Sequence, residues 1–359
     1  MYIKPLHTVQ QVNAAGKCLA FILRPKKDQA RPTKEDFESA LDTLNNWRVC
    51  HSYPLNAFNM TLKNRASSIN AAAFTAQRIK RLESIYAKLI NEDTMKVSQM
   101  QDIAGCRAIM PTLANVYQMR DLYLHPGNVA HEFTGEKNYV AFPKDTGYRG
   151  IHLKYKYAGK ATSEPWDKLK VEIQVRTMLQ HRWATAVEAA GTFTQQAMKS
   201  SRGKEEWLRF FSLMSSVFAL REGAAVVPQT SPHIKELCQE LKAINADHKI
   251  YASLSQIGKI VPAIEKQKGA KYFLIRLDPE KLEVTVTGFG KAQAVGAATA
   301  YTEAEKALPE KTSVQIVLVS VDSISALKKA YPNYFLDTQD FLREVENVLG
   351  IGPRDLFAQ

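Results

Sequence analysis

Residues 171–177 read Val-Glu-Ile-Gln-Val-Arg-Thr, and this stretch indicates most directly how the chain folds. Apolar and polar side chains alternate along it, which is the period of a half-buried β-strand. The apolar face carries two valines and an isoleucine, and the opposite face carries Glu172, Gln174 and Arg176. A carboxylate, an amide and a guanidinium in one row predict either a functional polar wall or an ordinary solvent-exposed strand face.

Further elements lie on both sides of this strand. Residues 105–110 and 151–157 also have strand patterns, and the second alternates apolar residues with His152, Lys154 and Lys156. Capping residues and apolar residues at helical spacing predict the helices 33–47, 74–91, 178–198 and 204–221. Strands separated by helices predict an α/β or α+β fold, with a mixed sheet flanked by helices.

A break follows at 223–232, where Gly and Pro interrupt the helical pattern. It predicts two domains, residues 1–224 and a smaller α/β domain of residues 225–359. The pattern of the second domain predicts the helices 234–245, 247–266 and 290–307 and the strands 271–277, 282–288 and 313–320.

Charge differs between the two parts of this 359-residue chain. Residues 223–359 contain 16 basic and 16 acidic side chains, so 32 of the 48 basic and 20 of the 36 acidic residues precede them. The net charge of +12 therefore belongs to the first 222 residues. Such an excess favours a polyanionic partner, either a nucleotide or a nucleic acid, although a basic surface kept for solubility has the same composition.

Several classes of protein are excluded by composition. The N-terminal sequence lacks an apolar signal core, and no apolar stretch is long enough to span a bilayer. The four cysteines lie far apart without a CxxC pair, which argues against a zinc site or a disulfide framework. We therefore expect a cytoplasmic protein that does not contact a membrane.

Two stretches have side chains suited to nucleotide phosphates. Lys80, Ser84 and Lys88 recur every fourth residue of the predicted helix and form one polar stripe that could hold a phosphate chain. Asp102 precedes a predicted strand and could hold Mg²⁺, which favours one or two carboxylates plus substrate phosphates. A solvated helix face and a turn-capping aspartate are the alternative interpretations.

The third stretch is a polar loop at 144–148. It begins with Lys144, contains Gly147 and ends with Tyr148, whose ring beside two cations could stack on a base. A simple hairpin explains the same pattern.

Together, these motifs resemble the synthetase domain of the RelA/SpoT family of alarmone synthetases. The resemblance runs from Arg78 to Glu188, about a third of the chain. The matching segments are RxKxxxSIxxK from Arg78, DIAGCR from Asp102, YVxxPKxxGYRGIH from Tyr139, VEIQVRT from Val171 and the His-x-Trp-Ala segment at His181, Trp183 and Ala184.

The resemblance implies a nucleotidyltransferase-like fold and an activity. Such enzymes transfer the β,γ-pyrophosphate of ATP to the ribose 3′-hydroxyl of GDP or GTP. The implied ATP-binding residues are Arg78, Lys80, Ser84, Lys88 and Arg107. The implied acceptor-binding residues are Lys144, Tyr148, His152, Gln174 and Arg176. The implied catalytic residues and Mg²⁺ ligands are Asp102 and Glu172, with Glu172 acting as a general base or as a second Mg²⁺ contact.

Three departures from the family pattern leave the acceptor open. Asn138, Thr146 and Gly150 stand where the family usually has Asp, Asn and Ser. Toxin-type relatives use adenine nucleotides or the tRNA 3′ end, which would suit the basic first domain. A third alternative is a non-catalytic nucleotide-binding or RNA-binding module. No His-Asp dipeptide occurs, so alarmone hydrolysis of the bifunctional type is not expected. An oligomer, and a regulator that binds residues 225–359, are further expectations.

Overall fold

The chain forms two compact units. The first comprises residues 1–139 and 150–178, and the second comprises residues 140–149 and 179–359. The computed structural model describes residues 2–23, 31–80, 82–92, 94–194, 204–256, 267, 269–278, 281, 283–308, 314–320 and 334–351. Within these ranges, no helix has the length and apolar character needed to cross a membrane.

The first unit is built on a five-stranded mixed sheet. Its strands are β1 (Phe74–Ile79), β2 (Ala104–Met110), β3 (Glu132–Asn138), β4 (Ile151–Lys156) and β5 (Lys170–Thr177). Their order is β1-β2-β5-β4-β3, with β2 parallel to β5 and all other neighbours antiparallel. This sheet confirms the predicted fold class, and β2, β4 and β5 confirm the three strands that the sequence patterns predicted.

Five α-helices accompany this sheet within the described residues of the first unit. They are α1 (Val9–Leu23), α2 (Lys34–Cys50), α3 (Ser52–Ile69), α4 (Leu82–Asn91) and α5 (Leu113–Leu124). Helix α2 begins as predicted, because the Thr33 hydroxyl accepts from the Asp36 N–H while the Asp36 carboxylate accepts from the Thr33 N–H. The sequence analysis did not predict α1, α3, α5 or β3.

The predicted helix 74–91 is wrong over its first half. Residues 74–79 form β1, which pairs antiparallel with β2, and the helix begins only at Leu82. Ile85 and Leu89 are buried, so the helical periodicity is real from there onward. Upstream, the exposed edge of β2 offers hydrogen-bond partners to 74–79, and strand pairing overrides a weak helical preference.

The second unit contains helices and a three-stranded antiparallel sheet of order β7-β6-β8. Its elements are α6 (Met178–Thr194), α7 (Lys204–Arg221), α8 (Ile234–His248), β6 (Tyr272–Asp278), β7 (Glu283–Phe289), α9 (Ala294–Lys306), β8 (Gln315–Ser320) and α10 (Tyr334–Leu349). The strands β6, β7 and β8 lie where the sequence patterns predicted strands at 271–277, 282–288 and 313–320. Residues 250–256 are also helical, whereas the remainder of the predicted helix 247–266 and residues 195–198 of the predicted helix 178–198 lie outside the described residues.

One apolar core joins the helices of the second unit to its sheet. The fully buried rings of Phe218 on α7, Phe273 on β6 and Phe341 on α10 belong to this core. The Phe341 ring centroid lies 5.9 Å from that of Phe211 and 6.0 Å from that of Phe218. The boundary expected between residues 224 and 225 thus falls inside the second compact unit. A regulatory role for residues 225–359 stays a prediction.

Candidate active site

The polar face of the first unit's sheet brings together half of the predicted site residues: Arg78, Arg107, His152, Glu172, Gln174 and Arg176. Gly105 of β2 pairs with Arg78 of β1 on one side and with Glu172 of β5 on the other, and Lys154 of β4 stands opposite Glu172. Paired residues share a sheet face. These residues therefore form one row of side chains across four strands.

A second row on this face is one step further along the strands. Arg107 pairs with Gln174, Gln174 pairs with His152, and His152 pairs with Lys137. The Tyr139 ring meets the His152 ring edge to face, with centroids 5.3 Å apart. The alternating pattern of β5 therefore does form a polar wall.

Glu172 is the centre of this wall. Glu172 is only 7% exposed, so the alternative interpretation of β5, an ordinary solvent-exposed strand face, is wrong. One carboxylate oxygen lies 3.0 Å from His152 Nδ1, and the other accepts a hydrogen bond of 2.8 Å from Gln174 Nε2. Arg176 Nη2 donates to Gln174 Oε1 at 2.8 Å, which fixes the orientation of the amide. The three polar residues of β5 thus form one hydrogen-bonded chain.

Electrostatics keep this carboxylate ionised. Burial by itself raises the pKa of Glu172, but His152, Gln174 and the nearby charge of Lys154 outweigh burial and lower the pKa to about 2. An ionised carboxylate only accepts hydrogen bonds, so the His152 Nδ1 atom carries a hydrogen in this arrangement.

Asp102 lies just before β2 and is bracketed by two lysines. Its Oδ2 atom accepts a hydrogen bond of 2.6 Å from Lys80 Nζ, and its Oδ1 atom lies 3.8 Å from Lys88 Nζ. The backbone holds Lys80 in place, because its N–H donates to Ile103 O and its carbonyl accepts from Arg48 Nε. Lys80 and Lys88 therefore meet at Asp102. The predicted helical stripe is wrong at its first residue, because Lys80 precedes α4 while Ser84 and Lys88 lie on it.

Arg78 and Arg107 lie on the same sheet face. Arg78 is exposed on the edge strand β1, whereas Arg107 of β2 is only 7% exposed. Gly105 pairs with Arg78 and precedes Arg107 by two residues, which makes the two guanidinium-bearing positions diagonal neighbours. The predicted helix 74–91 included Arg78, and this placement is wrong because Arg78 lies on β1.

Lys144 and Tyr148 belong to the second unit. Lys144 Nζ lies 5.3 Å from the centroid of the Tyr148 ring, within the range of a cation–π contact. The Gly147 N–H donates to Lys144 O at 2.8 Å, and Gly147 has a φ of 90°. The tight turn therefore needs glycine and brings its two predicted acceptor residues side by side.

The carboxylates have the donor chemistry that Mg²⁺ prefers. The Asp102 Oδ1 atom is buried and has no hydrogen-bond partner among the described residues, so it retains acceptor capacity. No group of three or more His, Cys, Asp or Glu side chains within the described ranges could hold a metal by itself. Because Mg²⁺ in nucleotide enzymes takes one or two carboxylates and completes its shell with phosphates and water, Asp102 and Glu172 fit this ion as individual ligands.

The sequence analysis missed Lys154 as a site residue. The alternation of β4 had placed it on the face of His152, but only the pairing of β4 with β5 puts it opposite Glu172. That register depends on long-range contacts, and the local pattern carries no signal for it.

Comparison with known families agrees with this geometry. The family model described as "Region found in RelA / SpoT proteins" matches residues 77–197. Residues 77–197, about a third of the chain, therefore match the region that RelA/SpoT proteins share. This region begins on β1 and ends after α6, so it includes the predicted site residues of both units.

Two curated relatives of this RelA/SpoT domain come from Bacillus subtilis. GTP pyrophosphokinase YwaC is 26% identical over 162 residues, which are 42% of this chain and 76% of the relative. GTP pyrophosphokinase YjbM is 30% identical over 116 residues, which are 31% of this chain and 53% of the relative.

Solved structures that resemble the chain include two proteins from the same organism. Small alarmone synthetase 2 is 20% identical with a TM-score of 0.42, and the match covers 50% of this chain and 94% of that structure. Small alarmone synthetase 1 bound to its product pppGpp is 21% identical with a TM-score of 0.43, and the match covers 50% and 92%.

Proposed function

We propose that this chain transfers the β,γ-pyrophosphate of ATP to the ribose 3′-hydroxyl of GDP or GTP, yielding guanosine tetra- or pentaphosphate and AMP. The observation that carries the proposal is the buried, ionised Glu172 on the same sheet face as Arg78 and Arg107. Binding alone does not require a buried carboxylate among cations, and this argues against the non-catalytic module. The relatives' names as GTP pyrophosphokinases support the same reaction class.

The reaction needs positioning and charge neutralisation. The 3′-oxygen attacks the β-phosphorus of ATP, the bond from that phosphorus to the α-phosphate oxygen breaks, and AMP leaves with the electron pair. Arg78 and Arg107 offer guanidinium planes for stacking on adenine. Lys80 and Lys88, which both pair with Asp102 in the free protein, hold the ATP phosphates, and Ser84 adds a hydrogen bond. Bound Mg²⁺ would supply further neutralisation of the phosphates beside Asp102.

Glu172 has two roles in this proposal. Its ionised carboxylate accepts a hydrogen bond from the 3′-hydroxyl and orients the oxygen toward phosphorus. A general base works best when its pKa is near the working pH, so a carboxylate with a pKa of about 2 takes the proton efficiently only after its contacts to His152 and Gln174 change. Until then, the same carboxylate is suited to be the second Mg²⁺ contact.

The acceptor is tested directly with ATP labelled at the γ-phosphate. The full chain and Mg²⁺ are incubated separately with GDP, GTP, ADP and deacylated tRNA, and labelled products are separated. We expect labelled guanosine tetra- and pentaphosphate. Label found only in tRNA or only in an adenine nucleotide would overturn the guanine acceptor and favour the toxin-type alternative. Absence of product with every acceptor would favour the non-catalytic module.

A further inference from the structure

The acceptor loop, defined here as residues 144–149, is held by helix α7 of the second unit. Ser212 Oγ donates a hydrogen bond to Asp145 O at 2.9 Å, and Ser215 Oγ donates to Gly147 O at 2.6 Å. Ser212 and Ser215 are three residues apart and therefore lie on one face of α7. Two carbonyls of the loop are thus fixed by two hydroxyls of one helix.

A buried ion pair fixes the end of the same loop. Arg149 Nη1 donates to Glu222 Oε2 at 2.8 Å, and Arg149 Nε donates to Ser215 Oγ at 3.2 Å. The Arg149 side chain is only 1% exposed, so its charge depends on Glu222 for compensation. Tyr148 therefore lies between two anchored residues, Gly147 and Arg149.

The acceptor loop also packs closely against α7, and no room is left for a side chain at Gly147. A Cβ atom placed on Gly147 would lie 2.9 Å from Trp183 Cζ2, 3.1 Å from Ser212 Cα and 3.2 Å from Ser215 Cβ. Trp183 itself is fixed, because its Nε1–H donates to Phe211 O at 2.8 Å. The glycine of the loop therefore packs directly on α6 and α7.

We infer that Ser212, Ser215 and Glu222 are positioning residues that set acceptor affinity by holding the acceptor loop in its binding conformation. The inference rests on the proposed function, since it takes Tyr148 and Lys144 as acceptor contacts. Fixing a loop before binding reduces the entropy lost on binding, so loosening it raises the acceptor KM. ATP contacts lie on other residues, and the ATP KM is expected to stay unchanged.

The variant S215A tests the inference, and S216A is its matched control. Both serines are buried on α7, at 2% and 0% exposure, and each loses one hydroxyl. The Ser216 hydroxyl bonds to Thr230 and to the Val227 N–H and does not contact the loop. Any general destabilisation of α7 by a Ser-to-Ala change is therefore present in both variants.

The full-length variants are assayed with acceptor varied at saturating ATP, and with ATP varied at saturating acceptor. We expect S215A to raise the acceptor KM roughly five- to thirtyfold, the effect of losing one or two kilocalories of hydrogen bonding, with the ATP KM within twofold of wild type. Hydrogen exchange of the Gly147 and Tyr148 amides should be faster in S215A and unchanged in S216A.

Two results would overturn the inference while leaving the synthetase activity in place. One is an unchanged acceptor KM in S215A, and the other is an equal increase in S215A and S216A. If the wild-type protein makes no product with any acceptor, the proposed function itself fails and the inference falls with it. The wild-type assay therefore separates failure of the function from failure of the positioning role.

Discussion

Glu172 is buried yet ionised because its two oxygens accept from two different side chains, His152 and Gln174. Arg176 in turn fixes the Gln174 amide. An unpaired buried carboxylate would take up a proton instead, so the network determines the chemistry that this residue can perform. Replacing the Glu172 carboxylate therefore tests its assignment to the active site.

We expect E172Q to lower the single-turnover rate of pyrophosphate transfer by ~10²–10⁴, because the neutral amide cannot act as a base and binds Mg²⁺ more weakly than a carboxylate does. E132Q is the matched control. Glu132 belongs to the same sheet but is more exposed and pairs with Lys156 and Lys168 rather than with the polar wall. A single-turnover rate within twofold of wild type in E172Q would contradict the assignment, and thermal melting of both variants checks that they fold.

At the residue scale, local pattern predicted the polar wall but not its environment. Alternation along β5 placed Glu172, Gln174 and Arg176 on one face from sequence alone. Whether that face is covered depends on the residues around it and on the pairing partners, such as Lys154 opposite Glu172. Those contacts join segments far apart in the sequence, and a single-strand pattern contains no information about them.

At the element scale, the interpretation of residues 74–91 illustrates the same limit. Apolar periodicity correctly indicated α4, where Ile85 and Leu89 are buried. The residues before it became β1 because β2 offered an open edge, and this partner is absent from the local sequence. Helix α2 was predictable because both of its determinants, the Thr33 cap and Asp36, are local.

The junction between α2 and α3 carries a pH-dependent contribution to stability. His51 is buried there, and its Nδ1 atom lies 2.6 Å from Trp47 O. Burial lowers the pKa of His51 to about 4, against the weaker opposing effect of the Trp47 carbonyl, with the charge of Lys170 lowering it further. The histidine therefore stays neutral in the folded protein at neutral pH.

We expect the first unit to lose stability as pH falls from about 6.5 to 4. The folded pKa lies below the unfolded one, so the unfolded state takes up the proton first and stability is fully present only above about 6.5. Between pH 7 and pH 5, the free energy of unfolding should fall by about 2 kcal/mol on this account. Urea unfolding of wild type at several pH values measures the slope.

H51Q removes the titrating group and should flatten this pH dependence. H125Q serves as the control for the loss of a histidine, because His125 lies at the exposed end of α5. Equal slopes in wild type and H51Q would show that His51 does not carry the effect.

At the scale of the whole molecule, the second unit is one core rather than two adjoining pieces. Ion pairs connect helices of the same unit. Arg182 Nη2 on α6 pairs with Asp340 Oδ2 on α10 at 2.6 Å, and Arg209 Nε on α7 pairs with Glu240 Oε1 on α8 at 2.6 Å. The break near residue 225 and the change in charge were visible in the sequence. The sequence did not indicate that residues on both sides of this break share one apolar core, because that core depends on which helix faces pack together.

A fragment that ends at residue 225 should therefore fail to fold its α6 and α7 stably. It keeps Phe210, Phe211 and Phe218 but loses the partners that cover them from α8, β6 and α10, including Phe273 and Phe341. Burial of each such side chain is worth roughly 1.5–3 kcal/mol, so the total loss is comparable with the 5–15 kcal/mol stability of a whole domain. Hydrogen exchange along 204–221 should become fast in this fragment, and the acceptor loop should lose its anchors on α7.

A fragment that ends at residue 351 keeps α10 and should exchange like the full chain. Slow exchange in the shorter fragment would contradict the single core and would support an independent domain after residue 225.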